Sequence, residues 1–225
     1  MPYLRHIELQ SPLGLQGLGK LLVVDVGAGS TDIGYMLRTI NLKKKENLFY
    51  FTPAETLRVA GDELTGKIRD YHLTGGKNIT FQEAEAFKIT KIDDWIDKPF
   101  VNNWRNTISE YVKQYIVVVP DERWLQADVP LQIIITGGSG FVPGLTDEIK
   151  LKVSEGLRSK GLNYKIADNI RLFNVLVPNW QFSTREDYAR MAVAIGSSDR
   201  DKPSLKYLPK MDPLEKGHTY KPHIM

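Results

Sequence analysis

Residues 21–34 read LLVVDVGAGSTDIG, and the fold turns on how they are interpreted. Leu21–Val24 is an uninterrupted apolar run, which marks a buried strand. It closes on Asp25 and then on a turn of small residues, Gly27-Ala28-Gly29-Ser30. Glycines in such a turn let backbone N–H groups approach an anion, and consecutive amides form a concave nest. Asp25 projects from the strand end beside that nest. A carboxylate next to a phosphate needs a divalent cation between them, and hard oxygen ligands with retained waters suit Mg²⁺. Ser30 and Thr31 add hydroxyls, and Asp32 adds a second carboxylate where the next strand starts. Taken alone, the segment reads more readily as an ordinary hairpin; its combination with a second such turn later in the chain changes that reading.

Working outward, the chain resumes as strands over Asp32–Ile40, Leu48–Thr52 and Thr56–Val59, with a basic tip at Lys43, Lys44 and Lys45. This pattern predicts an antiparallel meander. From Asp62 the period becomes helical. Leu64, Ile68, Tyr71 and His72 share a face, and Gly75-Gly76 stops the helix. Thr80, with Glu83 three residues on, predicts a capping box. Pro99 opens a long helix whose Val101, Trp104, Ile108, Tyr111, Val112, Tyr115 and Val119 recur at amphipathic spacing until Pro120.

A second strand-into-turn segment follows at residues 133–144, IIITGGSGFVPG, on a strand predicted over Leu131–Thr136. A helix is expected over about residues 145–160, a last strand over Phe173–Val177 and a helix from Thr184 to Ala194. Residues 1–20 read as an entry segment, and residues 198–225 as an extended or disordered tail.

The 225 residues suffice for a sizeable core; at this size about 70% of the unfolded surface can be buried. A net charge of +3 is too mild to imply nucleic acid. No window approaches the ~20 apolar residues of a membrane span, and residues 1–14 lack the apolar core of a signal peptide. With no cysteine there is no disulfide framework, thiolate metal site or cysteine nucleophile. The expected location is cytoplasmic, without membrane or nucleic-acid partners. His6, His72, His218 and His223 lack metal-ligand spacing. Trp95, Trp104, Trp124 and Trp180 read as packing residues. A P-loop is excluded because GxxxxGK[ST] is absent. A dinucleotide fingerprint is excluded because a strand, not a helix, follows the first turn.

The two turns in this order resemble the actin-like ATPase superfamily, which includes actin, the seventy-kilodalton heat-shock chaperones and the sugar kinases. DVGAGSTDIG is similar to the superfamily's second phosphate motif, Asp-x-Gly-Gly-Gly-Thr-x-Asp, with Ala28 for the middle glycine and Ser30 for the threonine. IIITGGSGFVPGL resembles its adenosine motif. AGDELTGKI (60–68) resembles the chaperones' glycine-and-acid segment that opens a helix. EAEAFKIT (83–90) resembles the helix that carries Glu and Lys to the nucleoside, and MAVAIGSS (191–198) the final connecting motif. The resemblance covers about residues 21–197 and implies an α/β fold. It would be one lobe of the ribonuclease H-like type, a mixed sheet flanked by helices, with a helical nucleoside-contacting subdomain over about residues 62–119.

Carried over, the resemblance places Gly27, Ala28, Gly29, Ser30 and Thr31 at the phosphates. Asp25 would hold Mg²⁺ through water, with Asp32 positioning ions or water as the second catalytic carboxylate. Gly137, Gly138 and Ser139 would approach the adenosine, and Glu85 and Lys88 would bond the ribose. From the sequence alone, Glu85 and Lys88 read as a solvated helix face. Ile89 and Phe141 stand where the chaperones carry arginines, so the adenine clamp differs.

The implied cofactors are ATP and Mg²⁺. The superfamily fold is duplicated, and nothing before residue 21 reads as its first lobe. The chain is therefore expected to be the second lobe only, as a fragment or a split protein. Its partners would be the nucleotide and a missing first lobe or its own upstream chain. The implied function is nucleotide binding in a chaperone-like ATPase, with hydrolysis dependent on the other lobe. The alternatives are a bacterial or plasmid actin-like protein that self-associates into filaments, or a non-hydrolysing nucleotide-dependent interaction module.

Overall fold

The apolar run at residues 21–24 becomes an interior strand of a mixed sheet, flanked on both sides. The computed structural model describes residues 20–41, 46–52, 54–118, 131–162 and 206–207. Strand β1 (Lys20–Val26) pairs antiparallel with β2 (Thr31–Asn41) and parallel with β5 (Leu131–Thr136). Strand β3 (Glu46–Phe51) continues the sheet beyond β2, and a short β6 (Lys206–Tyr207) lies parallel to β3. Leu22, Val24 and Val26 are buried on one face of β1, while Leu21 is buried on the other. This two-sided burial explains why the strand reads as a continuous apolar run rather than an alternating one.

The predicted meander holds through β3 and then departs. Strand β4 (Glu55–Leu57) does not extend the sheet past β3; it pairs with Thr31–Ile33 at the start of β2, whose later residues Met36–Asn41 pair with β3. Thr52 makes the return possible, since its N–H donates to the Tyr35 carbonyl at 3.0 Å and pins the chain at mid-strand. The remaining edge of β2 is then available only to the segment that follows.

Helix α1 (Gly61–Thr74) buries Leu64 and Ile68 as the periodicity predicts. It differs in its last turn, where Tyr71 is 46% exposed and His72 half-buried. That turn packs among other rings, with Trp95 5.5 Å and Phe100 6.0 Å from Tyr71, instead of against the sheet. Gly76, at φ 77°, ends the helix in a left-handed conformation that suits glycine. Helix α2 (Phe81–Thr90) carries the full capping box. The Glu83 N–H donates to the Thr80 hydroxyl at 3.2 Å, and the Thr80 N–H donates to the Glu83 carboxylate at 2.7 Å. This backbone donor holds the Glu83 carboxyl below its usual range. A single 3-10 turn (Ile92–Asp94), which the periodicity does not show, joins α2 to α3.

Helix α3 (Pro99–Val118) and α4 (Leu145–Ser159) pack on each other and on the sheet. Trp104, Ile108, Val112, Ile149 and Val153 share one core with Leu22, Val24 and Val26 of β1 and with Ile133 and Ile135 of β5. Tyr115 ties α3 to β2: its buried hydroxyl accepts the Tyr35 N–H at 3.0 Å and pairs with the Thr52 hydroxyl. Burial pushes that phenol above its usual range. The strand at 173–177, the helix at 184–194, the entry segment to Gly19, and Trp124, Trp180 and Pro120 lie outside the described residues.

Four surface charges close the α3–α4 seam. Lys113 meets Glu110 at 3.3 Å and Glu155 at 3.1 Å, while Lys152 meets Glu110 at 3.0 Å and Glu155 at 3.5 Å. The Lys152 hydrogen bond lowers Glu110, and the Lys113 hydrogen bond lowers Glu155; Glu155 in turn raises Lys113, and Glu110 raises Lys152. Depressed carboxyls add stability above their unfolded values and lose it as pH falls through the folded ones. Raised ammoniums add it below their unfolded values and lose it as pH rises through the folded ones. The expected result is a small contribution across neutral pH that fades in acid and in strong alkali. Concentrated salt should weaken it because the groups are only half-buried and still open to solvent. Urea midpoints of the wild type and Lys152→Met across pH, at low and high salt, check this. A Lys152→Met difference that ignores both pH and salt would contradict it.

Candidate functional site

Two adjacent parallel strands end at one edge of the sheet, and each runs directly into a glycine turn. In register, Asp25 of β1 lies between Asp32 of β2 and Thr136 of β5. Residues directly opposite in a ladder share a face. The two carboxylates predicted from sequence are therefore neighbours across the strand pair, on the face opposite the helical core. Asp25 is half-buried. Asp32 is exposed and accepts the Ser30 hydroxyl at 3.1 Å and the Thr56 hydroxyl at 2.5 Å. Thr56 carried no signal in the sequence; it reaches Asp32 only because β4 pairs with the start of β2.

The turns themselves are in contact. The Ser139 N–H donates to the Val26 carbonyl at 3.0 Å. Gly137 adopts φ 85°, and a Cβ there would run into the Val26 carbonyl and stand 2.5 Å from Asp25 Oδ1. The first turn is closed by the Gly27 N–H donating to the Ser30 carbonyl at 2.9 Å. The start of α1 then takes up its carbonyls: the Gly61 N–H donates to Gly27 at 3.0 Å and the Asp62 N–H to Ala28 at 2.7 Å. Ala28 and Gly29 are exposed, and no atom lies within 4 Å of where a Cβ on Gly29 would stand. Thr31 is placed differently from its neighbours. It is fully buried, and its hydroxyl donates to the Val59 carbonyl at 2.7 Å, so that hydroxyl belongs to the fold.

Lys88 joins the two halves of the site. Its side chain is 5% exposed, and its ammonium meets Glu85 at 2.7 Å, the Gly61 carbonyl at 3.2 Å and the Ser139 hydroxyl at 3.3 Å. The solvated helix face expected from sequence is thus overturned for Lys88. A lysine buried this deeply needs its charge and all three donors satisfied, and the geometry supplies that number of partners. Glu85, half-buried, also accepts the Thr65 hydroxyl at 2.5 Å. Gly61 must be glycine, because a Cβ would meet Ser139 Oγ, the Gly27 carbonyl and Lys88 Nζ together. Trp104 holds this junction from below, its indole N–H donating to the Ala60 carbonyl at 2.8 Å. Gly61, Thr65 and Trp104 are the positioning residues that sequence reasoning did not single out for the site. The Gly61/Thr65 spacing, one helical turn, was the available signal.

Gly27, Ala28, Gly29, Ser30, Asp25, Asp32, Gly137, Ser139, Glu85 and Lys88 are therefore gathered by the fold, with the half-buried Gly138 between Gly137 and Ser139. Among the described residues no group of three His, Asp or Glu side chains could hold a metal ion. A cation beside Asp25 and Asp32 would draw the rest of its shell from water and ligand, which is how Mg²⁺ is usually held. No helix among the described residues is long and apolar enough to cross a membrane.

No family profile matches the chain. No curated protein matches it either. Several solved structures are similar in fold. The chain is 17% identical to a component of the PilM–PilN type IV pilus biogenesis complex, covering 85% of this chain and 49% of that one at a TM-score of 0.46. A non-polymerisable quadruple mutant of pCBH ParM is also 17% identical, with coverage of 85% and 50% and a TM-score of 0.48. MreB 5 of Spiroplasma citri bound to AMPPNP is 15% identical, with coverage of 86% and 56% and a TM-score of 0.43. The chain spans about half the length of each.

Proposed function

We propose that the chain binds a magnesium nucleoside triphosphate, ATP, at the paired glycine turns. In this reading it acts as the second lobe of a chaperone-like, actin-type ATPase domain. The observation that carries the reading is the contact between the turns, with Ser139 bonded to Val26 and Gly137 fitted against Asp25. A crevice beyond the carboxyl ends of adjacent strands is where open α/β sheets take ligands. With the Gly27 and Ala28 carbonyls engaged by α1, the exposed turn at Ala28 and Gly29 suits a phosphate chain approached by amides. The cross-strand carboxylates Asp25 and Asp32 repel one another unless a cation or donors compensate. Mg²⁺ there would neutralise phosphate charge and be held, through water, by Asp25.

Glu85 and Lys88 lie at the far side of the Gly137–Ser139 turn, where a ribose would sit. Their protein partners make them a rigid wall rather than a mobile clamp. Phosphoryl transfer depends on convergent positioning and charge neutralisation, so hydrolysis would require the groups of a facing lobe.

The test is calorimetric titration with ATP, with and without Mg²⁺, on the wild type, Asp25→Ala and Gly138→Val, with circular dichroism to verify folding. Magnesium-dependent binding is expected in the wild type and about tenfold or more weaker in each variant, tenfold being the loss of about 1.4 kcal/mol. Equal binding with and without Mg²⁺, or full affinity in Asp25→Ala, would remove the carboxylate–cation role. Sedimentation with and without ATP separates this reading from a nucleotide-gated filament, which would pellet.

A further inference from the structure

The glycine turn that follows β5 is held at its far end by a side chain that no motif announces. Arg105 lies on α3, and its side chain is 14% exposed. A guanidinium so far from water needs its donors answered. Its Nη1 donates to the Pro143 carbonyl at 2.6 Å. Its Nη2 donates to the Ile96 carbonyl at 3.3 Å and to the side-chain oxygen of Asn102.

These partners come from three parts of the fold. Pro143 ends the second glycine turn, Ile96 belongs to the segment that enters α3, and Asn102 lies one helical turn before Arg105. Asn102 steadies the guanidinium from its own helix, so the planar fork meets the two carbonyls already oriented. Inside the turn the bonds are short-range links, each spanning three residues. The Gly140 N–H donates to Gly137 at 3.1 Å, the Val142 N–H to Ser139 at 3.3 Å and the Leu145 N–H to Val142 at 3.1 Å. Such a chain passes a displacement of Pro143 back to Ser139 and Gly137.

Gly144 shows how closely the guanidinium is fitted. It adopts φ 81°, and a Cβ there would collide with Arg105 Nη1. Glu148, in the first turn of α4, places its Oε2 3.8 Å from Arg105 Nε. Both atoms are buried, and neither has a hydrogen-bond partner among the described residues. At that distance the pair supplies attraction without direction. The direction comes from the carbonyls. Charge and planar fork, the two things an arginine offers, therefore act on different partners here.

We infer that Arg105 is the positioning residue of the second glycine turn. Its fork fixes the place of Gly137, Gly138 and Ser139, where a nucleoside would approach. The role in binding rests on the nucleotide reading above, whereas the hold on the turn stands apart from it.

The decisive variants are Arg105→Lys, which keeps the charge and loses the fork, and Glu148→Gln, which loses the charge and leaves the fork. Amide hydrogen exchange on the full chain reads the outcome without any ligand. In Arg105→Lys the Ser139, Gly140 and Val142 amides should exchange about tenfold or more faster, as expected when a charge-assisted hydrogen bond is lost. The amides of β1 and β2 should keep their protection, and Glu148→Gln should match the wild type. Titration with magnesium and ATP should show a loss of about tenfold or more in Arg105→Lys alone. Methylguanidinium, which supplies a free fork, should restore protection of the turn in Arg105→Ala.

An unchanged turn in Arg105→Lys overturns the assignment, as does faster exchange spread evenly over β1 and β2. An equal loss in Glu148→Gln, or a folded Arg105→Ala that methylguanidinium leaves unprotected, does the same. Unfolding of both Arg105 variants also overturns it, since the arginine would then secure the whole domain. Full ATP affinity in an Arg105→Lys whose turn has loosened removes the role in binding. A wild type that binds no ATP removes the nucleotide reading alone, and the exchange rates still decide what Arg105 holds.

Discussion

Gly137→Ala is expected to destabilise the folded chain by about 3–5 kcal/mol, the sum of a left-handed backbone strain and an overpacked contact. At φ 85° an alanine Cβ would be forced against the Val26 carbonyl and carbonyl carbon and against Asp25 Oδ1. Two of those three atoms are backbone of β1, an interior strand, so no rotamer change relieves the collision. The Ser139-to-Val26 hydrogen bond, one residue pair away, would have to stretch with it. Gly29→Ala is the internal control. Its Cβ would enter open space, so its effect on stability should stay within about 0.5 kcal/mol, as for other surface changes. Urea unfolding of the two variants decides the matter. Similar midpoints would mean the two turns do not approach as closely as described.

Lys88→Met should cost about 2–3 kcal/mol in the absence of any nucleotide, less than the ~3–5 kcal/mol of breaking a wholly buried pair. The reduction follows from Glu85, whose side chain is 36% exposed and can regain water. The methionine keeps the apolar stem but removes the donors to the Gly61 carbonyl and the Ser139 hydroxyl. Pairing the change with Glu85→Gln should recover part of the loss, because the uncompensated carboxylate is then gone. A Lys88 that served only a bound nucleoside would leave the stability of the nucleotide-free chain untouched. Unchanged unfolding in Lys88→Met would thus remove its structural role and keep only a ligand role.

Much of this was legible in the sequence because it is local. The strand β1 shows as an apolar run, the stop of α1 as Gly75-Gly76 and the cap of α2 as Thr80 with Glu83. In each case the cause lies within a few residues of the effect. The two turns were legible for the same reason. What the sequence concealed depends on distant partners. Lys88 looks like a solvated residue of an i, i+3 pair, yet the groups that bury it stand 27 and 51 residues away. The return of β4 to β2 is decided by how Thr52 is pinned beneath Tyr35, which no periodicity reports. Tyr71 and His72 fit the apolar face of α1 by spacing. They leave the sheet because the segment between α2 and α3 brings Trp95 against them.

The parallel pairing of β1 with β5 also sets an order of events during synthesis. The β1–β2 hairpin closes locally, whereas Lys20 must wait for Leu131 before the other edge of β1 is filled. Closing so long a loop is slow, since its entropy is lost before its contacts are gained. Until β5 leaves the ribosome, this largely apolar strand therefore presents an open row of N–H and C=O groups. That is the condition under which nascent sheets recruit the wrong neighbour. Both glycine turns are encoded early and late on either side of this delay, so a stalled or shortened chain would carry the first turn without its counterpart and expose a sticky edge in its place.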